Sequence, residues 1–174
     1  MGYYAAQMAR LKGARVIGTI GSDKKAWPLT EAGIDDLIRY KTESTADRIL
    51  EMTGGAGVDG VVDLDFSTTS RLVAAGAVAR HGVFVCYGSN ERGGIPVEFG
   101  SWLPCSISLV FFLVYDLRPE ERRKAVAALD ALLAQGKLRH LLAPAYPLGD
   151  IVAAHQAVES GRVLGNVVVR LPPA

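Results

Sequence analysis

The stretch Ala14-Arg15-Val16-Ile17-Gly18-Thr19-Ile20-Gly21-Ser22-Asp23-Lys24-Lys25 decides the fold. Its first seven residues are short of charge and rich in β-branched side chains, which suit a pleated, buried surface, and they predict a buried strand. A helix is expected within Lys24 to Glu31, with Ala32-Gly33 as its stop. Pro28 is awkward there, because proline is comfortable only in a first turn; the helix either starts late, near Trp27, or is distorted. Upstream, Tyr4, Gln7, Met8 and Leu11 recur at helical spacing, and Gly13 stands where a C-terminal cap belongs. The stretch is thus a strand between two helices.

Downstream the alternation repeats. Asp36 to Tyr40 predicts a short strand. Ser44 caps a helix through Met52, with Asp47 at the capping-box position and Gly54-Gly55 at its end. Val58 to Leu64 is a strand, Thr68 to Ala79 a helix, and Gly82 to Tyr87 a strand. These strands are too apolar to have one wet face, so the fold class is α/β, a doubly wound parallel sheet covered by helices on both sides. After Tyr87 the rhythm breaks. Asn90 to Ser101 predicts a loop, Ile107 to Tyr115 a long apolar strand, and Pro119-Glu120-Glu121 the start of a helix. Val126, Leu129, Leu132 and Leu133 should give that helix a buried stripe. Leu141 to Tyr146 and Asn166 to Leu171 are expected as strands around a helix that Asp150 caps.

At 174 residues, 49% hydrophobic and 21% charged, with a formal net charge of +1, the chain has the make-up of one globular domain. Its dispersed basic residues outline neither a nucleic-acid footprint nor a membrane patch. The N-terminus lacks the pattern of a signal peptide, and no apolar run reaches membrane-spanning length, so a cytoplasmic protein is expected. Cys86 and Cys105 fit no metal knuckle and, with only three histidines, no zinc site is expected. His81, His140 and His155 are far apart, Asp63 and Asp65 are not expected to act as a pair, and no catalytic residue is assigned.

A dinucleotide-binding sheet starts with a strand, a glycine-rich turn and a helix whose N-terminal amides hold the pyrophosphate. Here the helix is present, while the strand and all of the turn but Gly2 are not. From Gly2 to the tip of the next strand is close to the spacing at which such folds read the ribose, about 20 residues. That tip is Gly21-Ser22, followed by two lysines, rather than the acid of an NAD site. A hydroxyl and a cation suit a 2′-phosphate and favour NADP(H). Asp23 is the competing detail, since it could reach a ribose in an NAD enzyme.

Tyr3-Tyr4-Ala5-Ala6-Gln7-Met8-Ala9-Arg10, Gly18-Thr19-Ile20, Glu31-Ala32-Gly33, Ile38-Arg39-Tyr40-Lys41, Thr53 to Asp59, Tyr87-Gly88-Ser89 and Glu159-Ser160-Gly161-Arg162 come in an order and spacing that resemble the medium-chain dehydrogenase/reductase superfamily. The match is to its zinc-independent quinone oxidoreductase branch. The resemblance implies a Rossmann-like domain and hydride transfer from NADPH to a quinone or another conjugated carbonyl such as an enone. It places Ser22, Lys25 and Tyr40 on the 2′-phosphate and adenine ribose, and Leu64, Asp65 and Phe66 beside the adenosine half. Tyr87, Gly88 and Ser89 fall near the nicotinamide half, and Arg162 closes over the cofactor. For Tyr40 routine packing, and for Arg162 an ordinary surface position, are the competing readings.

The resemblance also implies a homodimer paired through Ile107 to Tyr115. Against the family pattern, the GroES-like catalytic domain and the first strand are missing. In the order 3-2-1-4-5-6 that strand is central, so its two neighbours should have unpaired edges. The expectation is a truncated cofactor-binding domain, with a catalytically inactive NADP(H)-binding or dimerising fragment as the alternative.

Overall fold

The β-branched runs pair in parallel, and they do so in two separate sheets. The computed structural model describes residues 1–172. Helix α1 (Gly2–Leu11) leads into β1 (Ile17–Ile20), α2 (Ala26–Glu31), β2 (Asp36–Arg39) and α3 (Thr45–Met52). Then follow β3 (Val58–Asp63), two short helices α4 (Phe66–Thr69) and α5 (Arg71–Ala74), and β4 (Val78–Cys86). Among the described residues, strand β1 pairs only with β2, in the register Ile17 with Asp36 to Ile20 with Arg39. Strand β4 lies between β3 and β5 (Ser108–Phe111), both parallel to it.

The strand order is therefore β2-β1, a break, and β3-β4-β5. This is the Rossmann-like order 3-2-1-4-5-6 without a strand at its first position among the described residues. Ile17 of β1 and Val58 of β3 pack against one cluster, Ile38, Ile49 and Ala77, so the sheets share a core without sharing a ladder. A second cluster, Phe66, Val73, Val78, Phe84, Cys86 and Trp102, fills the other side of β4. Phe84 is fully buried there, with the rings of Phe66 and Trp102 at 5.6 and 5.9 Å. On β3, Val62 and the following Leu64 stay exposed, unlike residues of a central strand.

Several expectations need correction. Pro28 falls at the third residue of α2, inside the first turn, preceded by a 3-10 turn Asp23–Lys25, so the helix forms without a kink. The helix expected to reach Ala79 ends at Ala74, because Gly76 takes a left-handed φ of 73° and closes it. An unforeseen helix, α6 (Phe99–Cys105), stands in the presumed loop; Gly100, Ser101 and Pro104 had concealed it.

The strand predicted over Ile107 to Tyr115 is only the four residues of β5, after which Val114–Asp116 turns. Helix α7 (Pro119–Ala134) buries none of its residues, and Val126, Leu129 and Leu133 are about half exposed. The C-terminal strands shrink to β6 (Tyr146–Pro147) and β7 (Val169–Arg170), joined in parallel, plus a bridge from Leu142 to Asn166. Asp150 stands before α8 (Ile151–Glu159), but its side chain makes no capping bond, whereas Ser44 does cap α3 through the Asp47 amide.

Long-range hydrogen bonds join α1 to residues 139–140, where the Tyr4 hydroxyl also meets His140 Nδ1 at 3.1 Å. Gln7, buried on α1, donates its amide to the Arg139 carbonyl at 3.1 Å and accepts from the Arg139 N–H at 2.8 Å. No described helix is long and apolar enough to cross a membrane. Because Phe84 sits at the centre of the larger cluster, Phe84→Ala is expected to cost about 3–5 kcal/mol of stability. Urea unfolding followed by circular dichroism measures it, and a loss of under about 1 kcal/mol would mean the β4 layer does not hold the fold together.

Candidate functional site

Strands are parallel within each sheet, and the first residues of β1 and β3, Ile17 and Val58, pack on the same cluster, so the carboxyl ends of the two sheets lie on the same side, where open α/β sheets place ligands. Two groups of residues gather there, on either side of the break.

The first is at the tips of β1 and β2. Ile20 is buried and stands opposite Arg39, so Gly21-Ser22-Asp23 and Tyr40 emerge side by side. Tyr40 lies across Gly21 so closely that a Cβ on Gly21 would sit 2.6 Å from the tyrosine oxygen, and a larger residue there would push the Tyr40 ring aside. Ser22 precedes the 3-10 turn that carries Lys24 and Lys25. Asp23 is held by Arg39, Nε to Oδ1 at 2.5 Å, which favours the charged guanidinium. The acid that competes with the NADP(H) assignment is thus already paired with a cation, one that the sequence reading had passed over. The clue was its place as the last residue of a strand, next to Tyr40.

The second group is at the tips of β3 and β4. A Cβ on Gly88 would come within 2.7 Å of the Leu64 carbonyl oxygen, so the two chains touch backbone to backbone. Tyr87 donates its N–H to the Asp63 carbonyl, and Phe66 donates to the Gly88 carbonyl. Ser67 donates its N–H to Ser89 Oγ at 3.3 Å. Asp65 locks this junction. Its carboxylate accepts from Ser67 Oγ (2.6 Å), Thr68 Oγ1 (3.0 Å), the Asn90 N–H (3.0 Å) and Asn90 Nδ2 (2.7 Å). These donors, Ser67 foremost and then the Asn90 amide, hold the carboxyl below the usual aspartate range. Four bonds fill the acceptor capacity of a carboxylate, so in this arrangement Asp65 fastens the β4 loop and has nothing left for a ligand. The neighbouring Asp63 is likewise taken, by Thr69 Oγ1 and the Asp65 N–H.

Between β4 and β5 the edge opens into an apolar cavity of about 630 Å³, lined by Tyr87, Gly88 and Ser89 together with Phe66, Phe111 and Phe112. Burial, and then the Asp63 charge, push the Tyr87 hydroxyl above its ordinary pKa, so it remains a neutral donor. Ser22, Lys25 and Tyr40 thus come together, as do Leu64, Asp65, Tyr87, Gly88 and Ser89. Gly2 stands apart as the first residue of α1, with open space around it. Arg162 is exposed after Gly161, and among the described residues its side chain bonds to neither group.

Residues 32–169 match the family model described as zinc-binding dehydrogenase. The chain belongs to this family. Quinone oxidoreductase 1 of Escherichia coli K12 is 31% identical over 175 residues, covering 95% of this chain and 52% of its relative. A mycobacterial quinone oxidoreductase superposes with a TM-score of 0.82 at 28% identity, over 97% of this chain and 52% of its own. The Escherichia coli quinone oxidoreductase solved in complex with NADPH gives 0.78 at 30% identity, over 97% of this chain and 53% of that one. This dehydrogenase-family chain therefore spans about half the length of the relatives it matches. The family's name implies zinc, yet the described residues contain no group of three or more His, Cys, Asp or Glu able to hold a metal. Cys86 is buried with its thiol on the Gly88 carbonyl, so the donor set does not fit zinc.

Asp65→Asn should destabilise the chain at neutral pH, because an amide cannot accept all four bonds. The folded carboxyl has the depressed pKa, so its contribution is present above the unfolded value and is lost as pH falls through the folded one. Urea midpoints of wild type and variant should therefore converge in acid, below the ordinary aspartate range; a constant gap at all pH values would contradict the role.

Proposed function

We propose that residues 1–174 form the single NADP(H)-binding domain of an NADPH-dependent quinone or enone oxidoreductase. The observation that carries this reading is the pair of strand-tip groups on one carboxyl edge, flanking the break in strand order. The residues fit the cofactor. Ser22 and Lys25 supply a hydroxyl and a cation for a 2′-phosphate, and the close approach of Gly88 to the Leu64 backbone keeps the second tip clear of a side chain. Tyr40 offers an exposed ring and hydroxyl beside the same tip, and Leu64 an apolar surface at the second. Gly2 and Arg162 complete the set proposed to meet the cofactor, at the start of α1 and from the C-terminal segment.

When bound, the cofactor supplies the hydride. This chain's part is to fix its orientation and to screen one side from water. The aromatic cavity beside Tyr87, Gly88 and Ser89 suits a planar, apolar acceptor, and its titratable lining is confined to Cys86 and Tyr87. That sparse chemistry supports the second reading, a chain that holds NADP(H) without turnover. Two copies are proposed to pair through the segment 107–115: β5 is bonded on one side only, and Phe111 and Tyr115 are largely exposed. Two free cysteines agree with a reducing cytoplasm as the site of action.

Titration with NADPH, followed by cofactor fluorescence and thermal shift, should show saturable binding, with no turnover of a quinone by this chain alone. No response at millimolar cofactor would refute the reading, and quinone reduction by this chain alone would refute the division of labour.

A further inference from the structure

We propose that Arg39 is a specificity-determining cation, held in place by Asp23 and able to exchange that carboxylate for the 2′-phosphate of a nucleotide; this rests on the NADP(H) reading above. Arg39 ends β2 directly opposite Ile20, on the edge where nucleotides lie, and precedes the Tyr40 that covers Gly21. Its backbone is pinned. The N–H donates to the Glu43 carboxylate at 2.6 Å, and the carbonyl accepts from the Thr42 and Glu43 amides at 2.9 Å.

The side chain is restrained far less. Its single ion pair, through Nε, joins side chains 50% and 79% exposed, and such solvated pairs contribute little and break readily. Both terminal nitrogens of the guanidinium are without a hydrogen bond among the described residues. A phosphate takes the forked, charge-assisted pair of bonds that this one-point contact leaves unused. With Ser22 and Lys25 on the adjoining turn, the swing of Arg39 adds a second cation to the same place. Asp23 then has two effects. It competes for Arg39, and its own charge opposes the phosphate, so it tempers the preference that Arg39 creates.

The pair 2′,5′-ADP and 5′-AMP, which differ only in the 2′-phosphate, tests this by calorimetry on the full chain. The wild-type chain should favour 2′,5′-ADP. Arg39→Gln should weaken 2′,5′-ADP about tenfold, the scale of one lost charge-assisted contact, and leave 5′-AMP unchanged. Arg39→Lys, which keeps the charge but not the fork, should fall between. Asp23→Asn should tighten 2′,5′-ADP, and the double variant should lose that gain, which marks coupling between the two residues. If wild type prefers 2′,5′-ADP and both Arg39 variants keep that preference undiminished, the role of Arg39 is overturned and the NADP(H) reading stands. Equal binding of the two nucleotides by wild type overturns both.

Discussion

Along their facing edges the backbone amides and carbonyls of β1 and β3 have no strand to bond to among the described residues, and much of the structure follows from that. Buried peptide groups must be paired, so edges without a ladder stay wet or are covered by another strand. The exposure of Val62 and Leu64 on what should be a central strand is one result. The core accordingly divides into two clusters, and the layer of Ile38, Ile49 and Ala77 bridges the break from one face.

What survives the break is the polarity of the sheet. Parallel pairing within each sheet gathers its strand tips at one edge, and close contacts hold them there. Gly88 is pressed against the Leu64 backbone at a distance no Cβ could accept, and Gly21 lies under the end of the Tyr40 side chain. Asp65 then ties the β3 tip to the β4 loop through donors from both, so the rim beside the aromatic cavity is fastened by a carboxylate that those donors keep charged.

Much of this was legible in the residues. Short β-branched runs separated by glycine stops gave the strands, the distance from Gly2 pointed to the Gly21-Ser22 tip, and the roles of Lys25, Tyr40 and Tyr87 to Ser89 came from the family resemblance. The misses have physical causes. Helix α6 has too many poor helix formers for its periodicity to show, and it forms because Trp102 enters the aromatic cluster. The stripe of α7 reads as buried in any sequence, since periodicity reports which side wants a partner and not whether one exists. Asp65 looked like a ligand because a carboxylate at a strand tip carries no sign of which hydroxyls and amides will fill it.

The clamp of Gln7 on the Arg139 backbone links residues 132 positions apart in sequence. During synthesis helix α1 is finished long before its anchor exists. Local turns and the neighbouring βαβ units close early, because short loops lose little entropy. Helix α1 must wait for the last third of the polypeptide. Its buried amide is therefore satisfied only late in folding, and the order in which the molecule matures runs against the order in which it is made.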